Sequence, residues 1–284
     1  MHHALTLAVL LAAPACAQTG KPPDAPDPRA RRADSVVTHA APAEALGDTT
    51  FVSQTINVRI GETPVAIVVT TGCAVPRWNA INMHDDENTA VEAALAVIVR
   101  GDGRLVELRH AGTRNLTFRV GGEAFTVDPN RIFTPAGRAR TLASLSRDTP
   151  AARAAVAAFA DTLLAVYGTP AVVVALHNNT EANYSAASYQ AGGSEANEAA
   201  AVTLAPGTDP DDFVFVTLRP LFDAVVAAGV NAVLQNNATP TDDGSLSVWA
   251  AQNGRPYLNV EAQHGHRAEN ARMIEAIPGW VGER

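Results

Sequence analysis

A histidine and a glutamate three residues apart, His84 and Glu87, form the first pattern in the sequence that could do chemistry. They lie between an apolar run at 64–71 and a stretch of helical composition at 89–100. Residues i and i+3 share a face at the start of a helix, so both side chains can converge on one point. Zinc held by two histidines and a glutamate, with one position left for water, is a catalytic arrangement of hydrolytic enzymes. Acidic groups are also typical of a helix start, where the helix dipole favours them.

Two further polar residues stand directly after apolar runs. His177 follows the run 171–176, and Glu261 follows the run 257–260. Both runs are predicted to be buried strands, and ligands of α/β proteins bind beyond the carboxyl ends of such strands. We therefore expect His177 and Glu261 to lie where such a ligand would bind.

An amide and a guanidinium occur together at Asn130 and Arg131, within an Asp-Pro-Asn-Arg stretch. Arginine binds a carboxylate through two parallel hydrogen bonds, which makes Arg131 a candidate for substrate recognition. The same four residues are also typical of a surface turn. In isolation, the turn is the simpler interpretation.

Taken together, these patches resemble the zinc carboxypeptidase superfamily in their order and strand context. The closest resemblance is to its aspartoacylase and succinylglutamate desuccinylase branch. It is carried by the Asn-Arg-Ile-Phe tetrapeptide at 130–133 and by the 90 positions between Glu87 and His177. The resemblance extends from near Pro64 to the last predicted helix.

The sequence also departs from that branch. Asp85 and Asp86 stand between the first histidine and the glutamate, where the branch usually has Gly-Asn. His177 and Glu261 are 84 positions apart, which is longer than the branch leads us to expect. This spacing predicts an insertion around 192–205.

The resemblance implies one Zn²⁺ ion per chain, held by His84, Glu87 and His177. Bound zinc lowers the pKa of its water towards neutrality. The resemblance further implies that Glu261 accepts the water proton as a general base and passes it to the leaving amine as a general acid.

The resemblance also implies that Arg131, with Asn130, binds a substrate carboxylate, and that another arginine polarises the scissile carbonyl. Arg114 and Arg119 are the candidates for this second role, and we select Arg114. The implied reaction is hydrolysis of an amide bond in an N-acyl amino acid or a terminal peptide.

Other titratable residues are given lesser roles. His264 and His266 lie close after Glu261 and are interpreted as supporting or structural residues, although they could instead form a rival ligand pair. His110 ends a predicted strand and is interpreted as structural. Glu181 and Tyr184, in the loop after His177, are possible pocket residues.

Strand and helix patterns alternate along the chain from residue 50 onward. Predicted strands are 51–59, 64–71, 105–110, 116–120, 171–176, 213–217, 232–234 and 257–260. Predicted helices are 89–100, 150–166, 221–228, 245–252 and 268–277. This alternation predicts an α/β fold with three layers, in which a mixed, mostly parallel sheet is covered by helices on both faces. The resemblance implies the zinc carboxypeptidase version of that fold.

The N-terminal part of the chain has a different composition. Residues 1–17 contain an apolar stretch followed by Ala-Cys-Ala, which predicts a signal peptide. Cys16 allows a second interpretation, in which it becomes a lipid-anchored N-terminus. Residues 18–48 are rich in Pro, Ala and charged residues, which predicts a disordered linker. The sequence therefore predicts an exported, periplasmic or extracellular protein with a single catalytic domain at 49–284.

Composition narrows the function classes further. The chain of 284 residues carries 21 Lys and Arg against 29 Asp and Glu, a net charge of −8, so no concentrated basic face is available for nucleic acid. No apolar run reaches the length of about 20 residues that spans a bilayer. The oligomeric state is not indicated. Two alternatives stay open beside a zinc hydrolase: a binding module that keeps the fold without catalysis, and an esterase-like enzyme that uses another metal.

Overall fold

The computed structural model describes residues 51–100, 102–181, 183–238 and 240–281. The predicted signal peptide and linker, including Cys16, lie outside the described residues. Export, lipid anchoring and the domain boundaries therefore stay predictions.

Within the described residues, nine strands form one sheet in the order β1-β2-β4-β3-β7-β11-β9-β10-β8, and β5 and β6 form a separate hairpin. The strands are β1 Phe51–Ile60, β2 Thr63–Gly72, β3 Asn79–Asn82, β4 Arg104–Arg109, β5 Leu116–Val120, β6 Glu123–Val127, β7 Val173–Asn179, β8 Ala199–Thr203, β9 Phe213–Val216, β10 Asn231–Gln235 and β11 Tyr257–Gln263. The helices are α1 Asn88–Ile98, α2 Pro135–Leu145, α3 Pro150–Tyr167, α4 Arg219–Ala227, α5 Leu246–Gln252 and α6 Arg267–Val281.

The sheet is mixed, and its centre is parallel. Strands β4, β3, β7 and β11 run in one direction, whereas the pairings β1–β2, β2–β4, β11–β9 and β10–β8 are antiparallel. Parallel strands end at the same edge, so β3, β7 and β11 bring their carboxyl ends together.

Helices cover both faces of the sheet. Side chains of α2, α3 and α5 pack in one apolar core, and those of α1, α4 and α6 pack in the other. The predicted three-layer α/β/α arrangement around a mixed sheet is confirmed.

Local sequence signals explain the boundaries of α3. Thr149 accepts a hydrogen bond from the backbone N–H of Ala152 at 3.1 Å, Pro150 occupies the first turn, and Gly168 ends the helix at φ 86°. By length and composition alone this helix could cross a membrane. In the structure, Val156, Phe159 and other apolar residues of α3 are buried in the core beside the sheet.

Two details of the predicted strands need correction. The sequence placed His177 and Glu261 just after their strands, but both lie within β7 and β11, near the carboxyl ends. Polar residues continue both strands because these strand ends line a cavity rather than an apolar layer. The predicted insertion around 192–205 contains a short 3₁₀ turn, Ala196–Glu198, and the edge strand β8.

Candidate metal centre and active-site cavity

Three side chains converge at the carboxyl ends of the neighbouring strands β3 and β7. His84 lies just beyond β3, Glu87 immediately precedes α1, and His177 lies in β7. The Nδ1 atom of His84 is 2.6 Å from Glu87 Oε1, and the Nδ1 atom of His177 is 2.8 Å from Glu87 Oε2. Ligand atoms of all three residues lie within 4.8 Å of one another, and the three residues are buried.

The donor chemistry of this group fits a zinc ion. Two imidazole nitrogens and one carboxylate oxygen are the ligand types that zinc accepts at catalytic sites. Burial raises the pKa of Glu87, but the two adjacent histidines outweigh that effect and hold the pKa below its ordinary range. Glu87 is therefore present as a carboxylate.

Asp128 fixes the orientation of one histidine, a role that the sequence interpretation missed. Its Oδ1 atom is 2.8 Å from Nε2 of His84 and also accepts a hydrogen bond from the backbone N–H of Asn130 at 2.8 Å. A proton held on Nε2 leaves the lone pair of Nδ1 for a metal. Without a metal, burial lowers the pKa of His84, but Glu87 and Asp128 together outweigh burial and raise this pKa to about 9, so a metal that binds there must displace the Nδ1 proton. Asp128 begins the Asp-Pro-Asn-Arg stretch, but nothing in the sequence pairs it with His84, which lies 44 positions away.

Glu261 stands beside the histidine–glutamate group. It is paired in register with His177 across β11 and β7, and its side chain is buried in the wall of the cavity. Asn259 Nδ2 donates a hydrogen bond to Glu261 Oε2 at 3.0 Å. Burial and the nearby charge of Glu87 raise the pKa of Glu261 to about 8. A carboxyl group of this kind can both accept and return a proton near neutral pH.

The two arginines suggested for the second role occupy different places. Arg114 reaches the site, where its Nη1 atom is 3.0 Å from Glu87 Oε1 and its Nη2 atom is 3.5 Å from Asp128 Oδ2. Arg119 lies in β5 and donates a hydrogen bond to the carbonyl oxygen of Gly122 at 2.7 Å. The structure therefore places Arg114, and not Arg119, beside the candidate metal ligands.

Asn130 and Arg131 form part of a 3₁₀ turn, Pro129–Arg131, and both line the cavity. Asn130 Nδ2 lies 3.4 Å from His177 Nε2, and Asn130 Oδ1 accepts a hydrogen bond from the backbone N–H of Leu246 at 3.2 Å. Arg131 is about one third exposed, and its Nε atom is 3.4 Å from Asp243 Oδ2. The turn interpretation and the site interpretation of this stretch are thus compatible.

The remaining sequence candidates divide between the cavity and the surface. His264 and Tyr184 line the cavity, whose volume is about 630 Å³. His266 instead pairs with Asp212 at 2.9 Å. His110 is half-buried outside the cavity lining, and burial lowers its pKa. Glu181 is exposed and does not line the cavity.

Some solved structures are similar to this chain at low sequence identity. No family model and no curated protein matches the chain. Solved structures that are similar include an aspartoacylase family protein from Mesorhizobium loti, at 15% identity over 83% of this chain and 68% of that one, with a TM-score of 0.40. Another is a murein-tripeptide amidase from Escherichia coli O157, at 15% identity over 78% and 87% of the two chains, with a TM-score of 0.40.

A third is a metallo-carboxypeptidase from Burkholderia cenocepacia, at 13% identity over 80% of this chain and 65% of that one, also with a TM-score of 0.40. At such low identity the roles of individual residues rest on the geometry of the site itself.

Proposed function

We propose that this chain is an exported zinc-dependent amidohydrolase or peptidase. Its substrate is an N-acyl amino acid or a terminal peptide that bears a free carboxylate. The observation that carries the proposal is the convergence of His84 Nδ1, His177 Nδ1 and the Glu87 carboxylate beside the buried carboxyl group of Glu261. Export rests on the predicted signal peptide at residues 1–17.

His84, Glu87 and His177 would hold the zinc ion. When bound, zinc polarises a carbonyl group and makes water acidic enough to react near neutral pH. Asp128 contributes by holding the Nε2 proton of His84, which keeps Nδ1 directed at the metal position.

Glu261 moves the proton in this scheme. Its carboxylate takes a proton from the attacking water, whose hydroxyl group adds to the carbonyl carbon of the substrate amide. The C–N bond then breaks, and Glu261 returns the proton to the leaving nitrogen, giving a carboxylic acid and an amine. A pKa of about 8 before the metal binds shows how strongly burial acts on this group, and the positive charge of zinc would lower it.

Arg131 and Asn130 bind the substrate carboxylate. The guanidinium of Arg131 uses Nε with Asp243 and Nη1 with the carbonyl oxygen of Asn130, so N–H donors remain for a ligand. Arg114 lies on the Glu87 side of the site, where it can stabilise negative charge on the carbonyl oxygen during attack.

The test combines metal content with turnover. Elemental analysis of the purified protein should give one zinc per chain, and His84→Ala or His177→Ala should remove it while the protein stays folded, because two large apolar cores hold the fold. The control is His266→Ala, which changes a histidine outside the cavity and should keep its metal. Full zinc occupancy in the His84 and His177 variants contradicts the assignment.

Activity is then measured on a panel of N-acyl amino acids and short peptides. Zinc-dependent cleavage that requires a free carboxylate supports the proposal. A zinc-loaded protein that binds these compounds without cleaving them favours the non-catalytic binding module. Cleavage of esters with another metal, and no cleavage of amides with zinc, favours the third alternative.

A further inference from the structure

The active-site cavity continues across the sheet, away from the candidate metal centre. Asn259 of β11 is paired with Phe215 of β9, and the cavity wall extends from these two residues to Gln235 at the end of β10. Adjacent strands lie about 4.8 Å apart, so this extension reaches roughly 10 Å beyond β11. The space is long enough for an extended substrate side chain.

The far wall of this extension is acidic. Glu195 and Glu198 line the cavity there, and both are half-buried. The Glu198 carboxylate is held by Thr241, which donates from its hydroxyl group at 2.6 Å and from its backbone N–H at 3.2 Å. Arg114 and Arg131, the arginines that line the described part of the cavity, are already ion-paired with other carboxylates.

A buried acceptor without a donor lies on the path to this wall. Asn259 is only 7% exposed, and its Nδ2 atom is used by Glu261. Its Oδ1 atom has no hydrogen-bond partner among the described residues. Buried carbonyl oxygens are almost always satisfied, so this atom calls for a donor from a ligand or a water molecule.

Aromatic rings border the same path. The rings of Tyr189 and Phe215 have their centroids 5.5 Å apart, and both residues line the cavity. Methylene groups of a long side chain pack well against such surfaces while a charged end reaches a polar group. The extension therefore offers an apolar border, a buried acceptor and an acidic end.

From these features we propose that the substrate residue bearing the free carboxylate also carries a long cationic side chain, ending in an ammonium or guanidinium group. The cationic end of that side chain lies at the acidic wall formed by Glu195 and Glu198. Asn259 Oδ1, on the path to that wall, accepts a hydrogen bond from the bound substrate or from a water molecule that accompanies it. This inference rests on the proposed function and narrows its substrate to basic amino acids of lysine or arginine length. An acidic side chain in the same place would be repelled by the two carboxylates.

The first test compares three N-acyl dipeptides that differ only at the C-terminal residue: lysine, norleucine and glutamate. Norleucine has the four-carbon side chain of lysine without its terminal ammonium group. We expect kcat/KM for the lysine substrate to exceed that for norleucine at least tenfold, with glutamate the poorest. Equal values for lysine and norleucine overturn the proposal.

Charge variants connect this preference to the acidic wall. Glu195→Gln with Glu198→Gln should bring the lysine-to-norleucine ratio close to one, and Glu195→Lys with Glu198→Lys should favour glutamate over lysine. The matched control is Asp161→Asn with Asp223→Asn, which removes two exposed carboxylates outside the cavity and should keep the native ratio. An unchanged lysine-to-norleucine ratio in the variant with Glu195→Gln and Glu198→Gln overturns the proposal.

A binding measurement separates failure of this inference from failure of the proposed function. Calorimetry with free L-lysine and free L-norleucine at millimolar concentration requires no turnover. Tighter binding of lysine, lost in the Glu195→Gln and Glu198→Gln variant, supports a cationic subsite even if no amide is cleaved. If amides are cleaved but lysine binds no better than norleucine, the proposed function survives and this inference fails.

Discussion

Replacing Glu261 with glutamine tests the proton-transfer step with little change of shape. The amide oxygen of glutamine can still accept the hydrogen bond that Asn259 Nδ2 now donates at 3.0 Å. General acid–base catalysis contributes about two to four orders of magnitude to a rate, so kcat should fall by that factor. At about 1.4 kcal/mol per tenfold, this corresponds to roughly 3–6 kcal/mol of lost transition-state stabilisation.

In the zinc-loaded protein, the zinc content and the thermal midpoint of Glu261→Gln should match those of the native protein, because Glu261 is not among the three candidate ligands. A carboxylate that only capped the following helix or paired with Arg267 would cost about 1 kcal/mol of stability and little rate. The structure pairs Arg267 with Glu92 at 3.7 Å instead. Near-native turnover of the zinc-loaded variant, together with a lowered midpoint, refutes the proton-transfer role.

Three further predictions address the surroundings of this step. Arg131→Ala should raise KM much more than it lowers stability. Arg131→Lys should not restore KM, since a lysine cannot form the two parallel hydrogen bonds to a carboxylate. Turnover of carboxamide-blocked substrates equal to that of the free acids contradicts this. Asp128→Asn should weaken zinc affinity about 10- to 100-fold in a chelator competition, because the amide no longer holds the Nε2 proton of His84 as firmly. In the metal-free protein, the folded state keeps the Glu261 proton up to about pH 8, whereas the unfolded chain releases it near pH 4.5. The native protein should therefore lose stability relative to Glu261→Gln as the pH rises between these values. The same difference in denaturant midpoint between the two proteins at pH 5 and at pH 8 contradicts this.

The strands β7 and β11 and the long helix α3 were predictable from the sequence. The strands β7 and β11 are short apolar runs bounded by polar residues, and α3 has a capping threonine, a proline in the first turn and a terminal glycine. These signals are local, so one sequence suffices to detect them.

Three of the elements that escaped prediction, β3, β8 and α2, lack such local signals. Strand β3 has only four residues, and the edge strand β8 reads Ala-Ala-Ala-Val-Thr, without a strong strand preference. Helix α2 contains Gly137, which is an unfavourable helix residue but is required here because its backbone packs against Gly244. A Cβ atom at Gly137 would lie 2.1 Å from the Gly244 Cα atom. Tertiary contacts of this kind cannot be read from neighbouring residues.

The residues of the site also differ in how far the sequence predicts them. His84, Glu87, His177 and Glu261 could be proposed because of their spacing and their places beside apolar strands. Asp128 and Asn259 could not be assigned, because their roles depend on contacts with residues far along the chain or on an unpartnered buried atom. A single sequence therefore predicts the residues that do the chemistry more readily than the residues that orient them.

The central claim is that His84, Glu87 and His177 form a zinc site. Diffraction from crystals grown with zinc, recorded on both sides of the zinc absorption edge, tests it most directly. The account predicts one strong anomalous peak among His84 Nδ1, His177 Nδ1 and the Glu87 carboxylate, next to Glu261. A protein that binds zinc stoichiometrically but shows its peak elsewhere, for example at His264, contradicts the account.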